Sequence, residues 1–225
     1  MPDALLKVEN LKKYYPIRSG VFRRVNNYVK AVDGVSFEIK AGENFGLVGE
    51  SACGKTTLGR TVLNLHEPTA GRVTFNGNVL FDVEAKQEMD QKSIQSMRKD
   101  MQIIFQDPFA SLDPRWNVGR IISEGLIQHK ILEGKAAWAR AEELLELCGL
   151  DKSNALKFPH EFSGGQRQRI GIARSIAVSP KFIVGDEPIA ALDVSIQAQI
   201  LKLLQKLIHE LNLTFLFISH DLNVV

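Results

Sequence analysis

Cysteine is scarce in this chain: Cys53 and Cys148 are the only two in 225 residues. They lie in unrelated segments without metal-ligand spacing, which excludes a disulfide scaffold or a cysteine metal site and points to a reducing, cytosolic setting. No apolar run approaches the roughly 18 to 20 residues that a membrane span needs. Met1-Pro2-Asp3-Ala4 lacks the basic-then-apolar layout of a signal peptide, so none is expected. A strong charge bias is also missing: 28 basic against 26 acidic residues leave a formal +2, which gives no reason to expect nucleic acid as a partner. Internal repeats and low-complexity tracts are absent. What remains, 44% hydrophobic and 24% charged residues, is the composition of an ordinary globular protein, long enough for one α/β domain or a core with a smaller satellite. If a membrane is involved, the chain meets it through a partner.

Periodicity orders the chain. Residues 5–48 read as strands, with apolar positions at Leu6, Val8, Leu11, Val32, Val35, Phe37 and Ile39, interrupted by a basic, irregular excursion over 16–27. Phe45-Gly46-Leu47-Val48 reads as a short buried strand, followed by a helix over about 56–65 that Pro68 closes. Asn76-Gly77 between Val73-Thr74-Phe75 and Val79-Leu80-Phe81 signals a tight hairpin. A charged helix over 84–99 and a strand over 101–105 follow. From 107 to 159 the chain reads as helical, with 136–147 amphipathic and Gly149 placed to end that helix. Helices over 164–178 and 195–211 then alternate with strands over 181–185 and 214–218. The pattern predicts a parallel-sheet core interrupted by a helical insertion at about 107–160.

Two segments carry phosphate and metal chemistry. Gly49-Glu50-Ser51-Ala52-Cys53-Gly54-Lys55-Thr56 fits the P-loop pattern, with a strand before it and a helix after it. Gly49 and Gly54 let the backbone wrap closely, so that N–H groups along Glu50, Ser51, Ala52 and Cys53 face phosphate oxygens. Lys55 is expected to bridge the β- and γ-phosphates of ATP, Thr56 to ligate Mg²⁺ and Thr57 to reach the α-phosphate. Phe182-Ile183-Val184-Gly185 is a buried strand that ends in two carboxylates. Asp186 is expected to hold Mg²⁺, through water, and Glu187 to orient and polarise an attacking water as general base.

The third segment narrows the choice. In Phe162-Ser163-Gly164-Gly165-Gln166-Arg167-Gln168-Arg169, Ser163 can cap a helix whose first turn is Gly164-Gly165-Gln166. Free N–H groups, a hydroxyl and the positive helix end then form a second phosphate site, expected to serve another subunit's nucleotide. Here the sequence resembles the ATP-binding-cassette (ABC) ATPases, whose signature reads Leu-Ser-Gly-Gly-Gln. The resemblance implies an α/β P-loop fold with three parts: a mostly parallel sheet with helices, an N-terminal antiparallel β subdomain and an inserted α-helical subdomain. The whole chain, 1–225, would be one ABC ATPase domain, with 1–106 and 161–225 as core and β subdomain and about 107–160 as the helical subdomain. It further implies that Gln106 senses Mg²⁺ and the attacking water, that His220 contacts the γ-phosphate, and that Asp193 in Ala191-Leu192-Asp193 belongs to the D-loop crossing to a partner. Tyr15 matches the aromatic that stacks on adenine, with Tyr14 its rival.

Lys30-Ala31-Val32-Asp33-Gly34-Val35-Ser36-Phe37, the run from Ile104 to Arg115 and the run from His160 to Arg169 are similar to the oligopeptide/dipeptide importer ATPases, specifically the F-type subunit. That likeness implies a second ATPase, either a different chain or a second copy, and two membrane-spanning permease subunits docking near Gln106–Arg115. An extracytoplasmic solute-binding protein would act at one remove, and the chain would lie on the cytoplasmic face of the cell membrane. Peptides, nickel complexes and glutathione are all solutes of related systems.

Ala52 departs from the family, which has glycine there; if the position needs a positive φ, the methyl costs roughly 1 kcal/mol and weakens ATP binding. Gly185 and Ile189-Ala190 stand where Cys and Val-Ser are usual. The chain ends five residues after His220, where the family continues. These departures keep a second reading open, a nucleotide-binding but catalytically impaired partner. A chromosome-organising or DNA-repair ABC ATPase would need a long coiled-coil insertion that this sequence lacks.

Overall fold

The computed structural model describes residues 4–19 and 24–221. Met1-Pro2-Asp3, Arg23 in the basic excursion and the chain end after Asp221 lie outside the described residues.

Two sheets share the molecule. Strands β1 (Ala4–Ser19), β2 (Arg24–Lys40), β4 (Ala70–Phe75), β5 (Asn78–Asp82) and β6 (Gln87–Glu88) form an antiparallel sheet in the order β2-β1-β4-β5-β6. Strands β3 (Asn44–Val48), β7 (Met101–Ile104), β8 (Phe182–Asp186) and β9 (Thr214–Ser219) form the other, in the order β3-β9-β8-β7 and all parallel. The helices are α1 (Lys55–Val62), α2 (Gln91–Arg98), α3 (Val118–Gln128), α4 (Gly134–Leu147), α5 (Gly164–Ile176) and α6 (Val194–Glu210).

A parallel sheet covered on both faces needs apolar side chains on both, so its strands read as continuous apolar runs. All five residues of β8 are buried. Phe182 and Val184 of β8 and Leu216 and Ile218 of β9 pack towards α1 and the antiparallel sheet. Ile183 and Phe215, on the opposite face, join the core built with α3 to α6. The four strands therefore end together at one edge, where the following loops can converge. In open α/β sheets ligands bind beyond that carboxyl edge.

Several expectations need local correction. In its described part the basic excursion over 16–27 is not irregular: β1 pairs with β2 up to Ser19 opposite Arg24, with Ile17 opposite Asn27, and the side chains of 16–18 and 25–27 are exposed. Helix α1 stops at Val62, not 65, because Asn64 takes φ 52° and the Leu65 N–H turns back to the Arg60 carbonyl. Of the charged stretch 84–99 only Gln91–Arg98 is helical, started by Asp90, whose carboxylate accepts from the N–H groups of Lys92 and Ser93. Helix does not begin at 107 either. Asp107 and Asp113 accept from nearby N–H groups in turns, and α3 starts only where the Asn117 side chain caps it. The Asn76-Gly77 hairpin and the Gly149 stop hold. Both turn residues have positive φ (48° and 77°), and Gly149, at φ 76°, closes α4 with its N–H on the Glu146 carbonyl.

Candidate functional site

The loop after β3 folds as a cradle because two of its residues take positive φ and a third is closely approached. Gly54 has φ 99°, and a Cβ there would stand 2.0 Å from the Ala31 carbonyl oxygen, so only glycine fits. Ala52 has φ 62°, in the left-handed region that a methyl group disfavours. The condition attached to Ala52 by the sequence is thus met. Gly49 lies close to Cys53, with a Cβ there 3.0 Å from the Cys53 sulfur. Lys55 is buried and its Nζ donates to the carbonyls of Gly49 and Glu50, each at 2.7 Å, which ties the loop's two ends together. Helix α1 starts at Lys55 with no side-chain cap, so its first N–H groups remain open to an anion. Residues Ala52 to Thr57, with Val29 and Lys30 of β2 and with Glu187, line a cleft of about 360 Å³.

The carboxylates at the end of β8 take different environments. Asp186 is almost wholly buried, at 1% exposure. Its Oδ1 accepts from Thr56 Oγ1 at 2.6 Å and its Oδ2 from Arg60 Nη2 at 3.2 Å. Glu187 follows with φ 46°, and its N–H donates to the Ile218 carbonyl at 3.1 Å, which turns the side chain out of the strand and into the cleft. Gln106 Nε2 donates to Glu187 Oε2 at 3.1 Å, and His220 Nδ1 stands 3.3 Å from the same oxygen. Three of the predicted residues, from three strand ends, thus meet on one atom. Gly185 is a packing requirement rather than an oddity: a Cβ there would stand 2.7 Å from the Phe215 ring. Ile189 is likewise in the core.

The donor chemistry fits Mg²⁺. Thr56, which lines the cleft, and Asp186, bonded to it, offer hard oxygen donors side by side, and no group of three or more His, Cys, Asp or Glu side chains among the described residues forms a metal cage. Such a pair suits an ion that completes its shell with waters and phosphate oxygens.

Tyr14 and Tyr15 separate clearly. The Tyr14 hydroxyl donates to Asp33 and Lys30 lies over its ring. Tyr15 pairs across the ladder with Val29, a cleft residue; its ring is partly exposed, with Lys13 Nζ 4.8 Å above it and His66 edge-on at 6.4 Å. Burial, with Arg60 and Lys13 nearby, pushes His66 below the usual imidazole value.

The signature segment stands apart from the cleft and does not line it. Ser163 caps α5 as expected, accepting from the Gln166 N–H at 3.4 Å while Gln166 Oε1 accepts from the Ser163 N–H at 2.9 Å. Gly165 lets α5 approach α6: a Cβ there would stand 2.5 Å from Ile196 Cγ2. Gly164 has ordinary room beside Leu192. Phe162 is buried in the core. Asp193 heads α6 without a side-chain cap bond, and Gln197 Nε2 holds the preceding loop through the carbonyls of Ile189 and Leu192.

Sequence reasoning missed Arg60 and Arg174. Arg60 lies one turn after Thr56, so the i,i+4 spacing was a legible signal that both face one partner. Arg174, on α5, reaches the Ser111 carbonyl at 2.5 Å and links α5 to the turns after Gln106, a contact with no local signal.

A phosphate cradle at a helix start, beside paired carboxylates at a parallel-strand end, defines a P-loop nucleotide-binding protein. The comparisons with known proteins make this specific. The profile of the ABC transporter family matches residues 32–190. Two oligopeptide transport ATP-binding proteins of Bacillus subtilis are close relatives. AppF is 51% identical over 99% of this chain and 66% of its own length, and OppF is 50% identical over 100% and 70%. The dimeric structure of the ATP-binding cassette MJ0796 in a post-hydrolysis state bound to ADP and Pi superposes with a TM-score of 0.81 at 30% identity, covering 97% of this chain and 89% of that one. The chain belongs to the ABC transporter family and is an ATPase cassette of it. It spans about two thirds of the length of these oligopeptide-transport relatives. No helix among the described residues is long and apolar enough to cross a membrane.

Proposed function

We propose that this cassette binds and hydrolyses ATP to power a membrane importer of oligopeptides or related solutes. The observation that carries the reading is the meeting of Lys55, Thr56 and Glu187 at one cleft, with Asp186 bonded to Thr56 and with Gln106 and His220 on the same Glu187 oxygen. The identity to oligopeptide transport ATP-binding proteins supports the solute class.

In this reading the phosphates lie against the open N–H groups of residues 49–57 and the start of α1. Lys55 exchanges its two carbonyl partners for β- and γ-phosphate oxygens. Thr56 and Asp186 hold Mg²⁺, which when bound neutralises charge on the β- and γ-phosphates. Glu187 takes a proton from the attacking water, and Gln106 and His220 fix its carboxylate for that task. Tyr15 stacks on adenine. Ser163, Gly164, Gly165 and Gln166 close the partner's site, with Asp193 at the crossing, in a head-to-tail pair with a second ATPase. The segment from about 107 to 160 is a helical subdomain, and its Gln106–Arg115 edge, with Phe109 55% exposed, receives two permease subunits. An extracytoplasmic binding protein supplies the solute, and the cassette sits on the inner membrane face.

Calorimetry of Mg·ATP against the chain and against Lys55→Ala tests the reading, together with ATPase rate as a function of protein concentration. Micromolar to sub-millimolar binding lost in Lys55→Ala, with turnover rising steeply with concentration, supports a composite two-chain site. Binding without turnover at any concentration, even with a partner cassette added, would favour a catalytically impaired subunit.

A further inference from the structure

Asp186, bonded to the cleft residue Thr56, is almost wholly buried, and a buried carboxylate must be matched by hydrogen bonds or charge. In this structure it has two donors, one on each oxygen: the Thr56 hydroxyl on Oδ1 and the Arg60 guanidinium on Oδ2. The two are not equivalent. Thr56 is itself assigned to the cation, and its hydroxyl can turn a lone pair to it while the proton stays on Oδ1. Among the described residues Arg60 is the donor on the carboxylate that is not itself assigned to the metal, and its bond is charge-assisted. It sits on Oδ2, the oxygen that Thr56 does not hold. Its Nε–H is buried without an acceptor, so that edge of the guanidinium has no protein anchor, while Nη2 holds the carboxylate.

We propose that Arg60 is a positioning residue that fixes the plane of the Asp186 carboxylate and thereby sets this cassette's affinity for Mg²⁺. The inference rests on the ATP-binding reading given above. Arg60 touches neither nucleotide nor metal in this assignment; it acts through Asp186 alone.

The test is a titration of Mg²⁺ into the chain at fixed fluorescent ATP analogue, compared with analogue binding in EDTA. Arg60→Met is expected to raise the Mg²⁺ concentration for half-maximal enhancement about tenfold, the scale of one lost charge-assisted hydrogen bond. Binding in EDTA should change by less than about twofold. Arg60→Lys, which keeps the charge on a shorter reach, should recover part of the loss. In an Asp186→Asn background the Arg60→Met step should have little further effect on Mg²⁺, because the two residues act as one unit. Thermal melts identify any variant that fails to fold, and Arg60→Lys carries the test if Arg60→Met is such a variant. Tighter Mg²⁺ binding in Arg60→Met would overturn the proposal by making Arg60 a competitor of the cation. Equal losses with and without Mg²⁺ would overturn it by assigning Arg60 a general structural role. Parent chain that does not bind the analogue at all would remove the nucleotide reading itself, whereas parent chain that binds it without any Mg²⁺ response would remove the Mg²⁺ assignment and this inference with it. An unaffected variant beside a responsive parent would remove this inference alone.

Discussion

The Gln106 amide donates to the Glu187 carboxylate at 3.1 Å, joining the ends of the neighbouring parallel strands β7 and β8 across 81 residues of sequence. A carboxylate held in this way is already aimed before a substrate arrives, as the proposed role of general base requires. Glu187→Gln keeps the side-chain size and an acceptor for Gln106 but removes the base. Its ATPase rate is expected to fall by about two to four orders of magnitude with nucleotide affinity nearly unchanged. A steady-state assay paired with calorimetry reads both, and a rate within tenfold of the parent would take the role of general base away from Glu187.

Ala52 has φ 62°, a conformation that costs a non-glycine residue about 1–2 kcal/mol. Ala52→Gly should therefore tighten Mg·ATP binding by up to about tenfold, to the extent that the loop must hold this shape to bind. Unchanged affinity would mean that the strain is met equally in the free and bound loop.

Two residues on, the sign reverses. Gly54→Ala would place a methyl 2.0 Å from the Ala31 carbonyl oxygen, and backbone rather than a flexible side chain is what it meets. Mg·ATP binding is expected to be lost within the range of calorimetry while the far-UV circular dichroism stays close to the parent's.

The two cysteines should react differently. Cys53 is exposed in the phosphate loop and Cys148 is fully buried at the C-terminal end of α4. A thiol reagent should modify one equivalent quickly in the native chain and the second only on unfolding. ATP should slow the first reaction, since Cys53 lines the cleft; two fast equivalents would contradict the packing around Cys148.

Burial pushes the Cys148 thiol up to about 12 from an ordinary value of 9.0. The folded chain then keeps its proton where the unfolded chain has lost it. That contribution to stability is complete below pH 9 and fades as the pH rises towards 12. Between pH 8 and 10 the parent should lose on the order of 1 kcal/mol more than Cys148→Ala in urea unfolding. Parallel losses in the two proteins would show that the thiol does not titrate as its burial requires.

Much of this site was legible because its parts are local. The P-loop pattern spans eight residues, the carboxylate pair ends one apolar strand, and Ser163 with Gln166 forms a capping box three residues apart. Each depends on backbone geometry that its own residues specify. The reading went astray where side chains competed with the backbone: Asp107, Asp113 and Asp90 formed turns and caps inside segments read as helix. Asn64 ended α1 early for a similar reason, its tolerance of positive φ, which a search for proline stops overlooks.

The sequence by itself determined that the chain carries a phosphate loop, a strand-end pair of carboxylates and a second helix-capping glycine motif, because each is written in adjacent residues. Only the tertiary structure decided that Thr56 and Arg60 grip the two oxygens of Asp186, about 130 residues away, and that Gln106 and His220 share one oxygen of Glu187. The parallel sheet is the physical reason. It lays β7, β8, β9 and β3 side by side with their ends at one edge, so residues far apart along the chain come within hydrogen-bond reach.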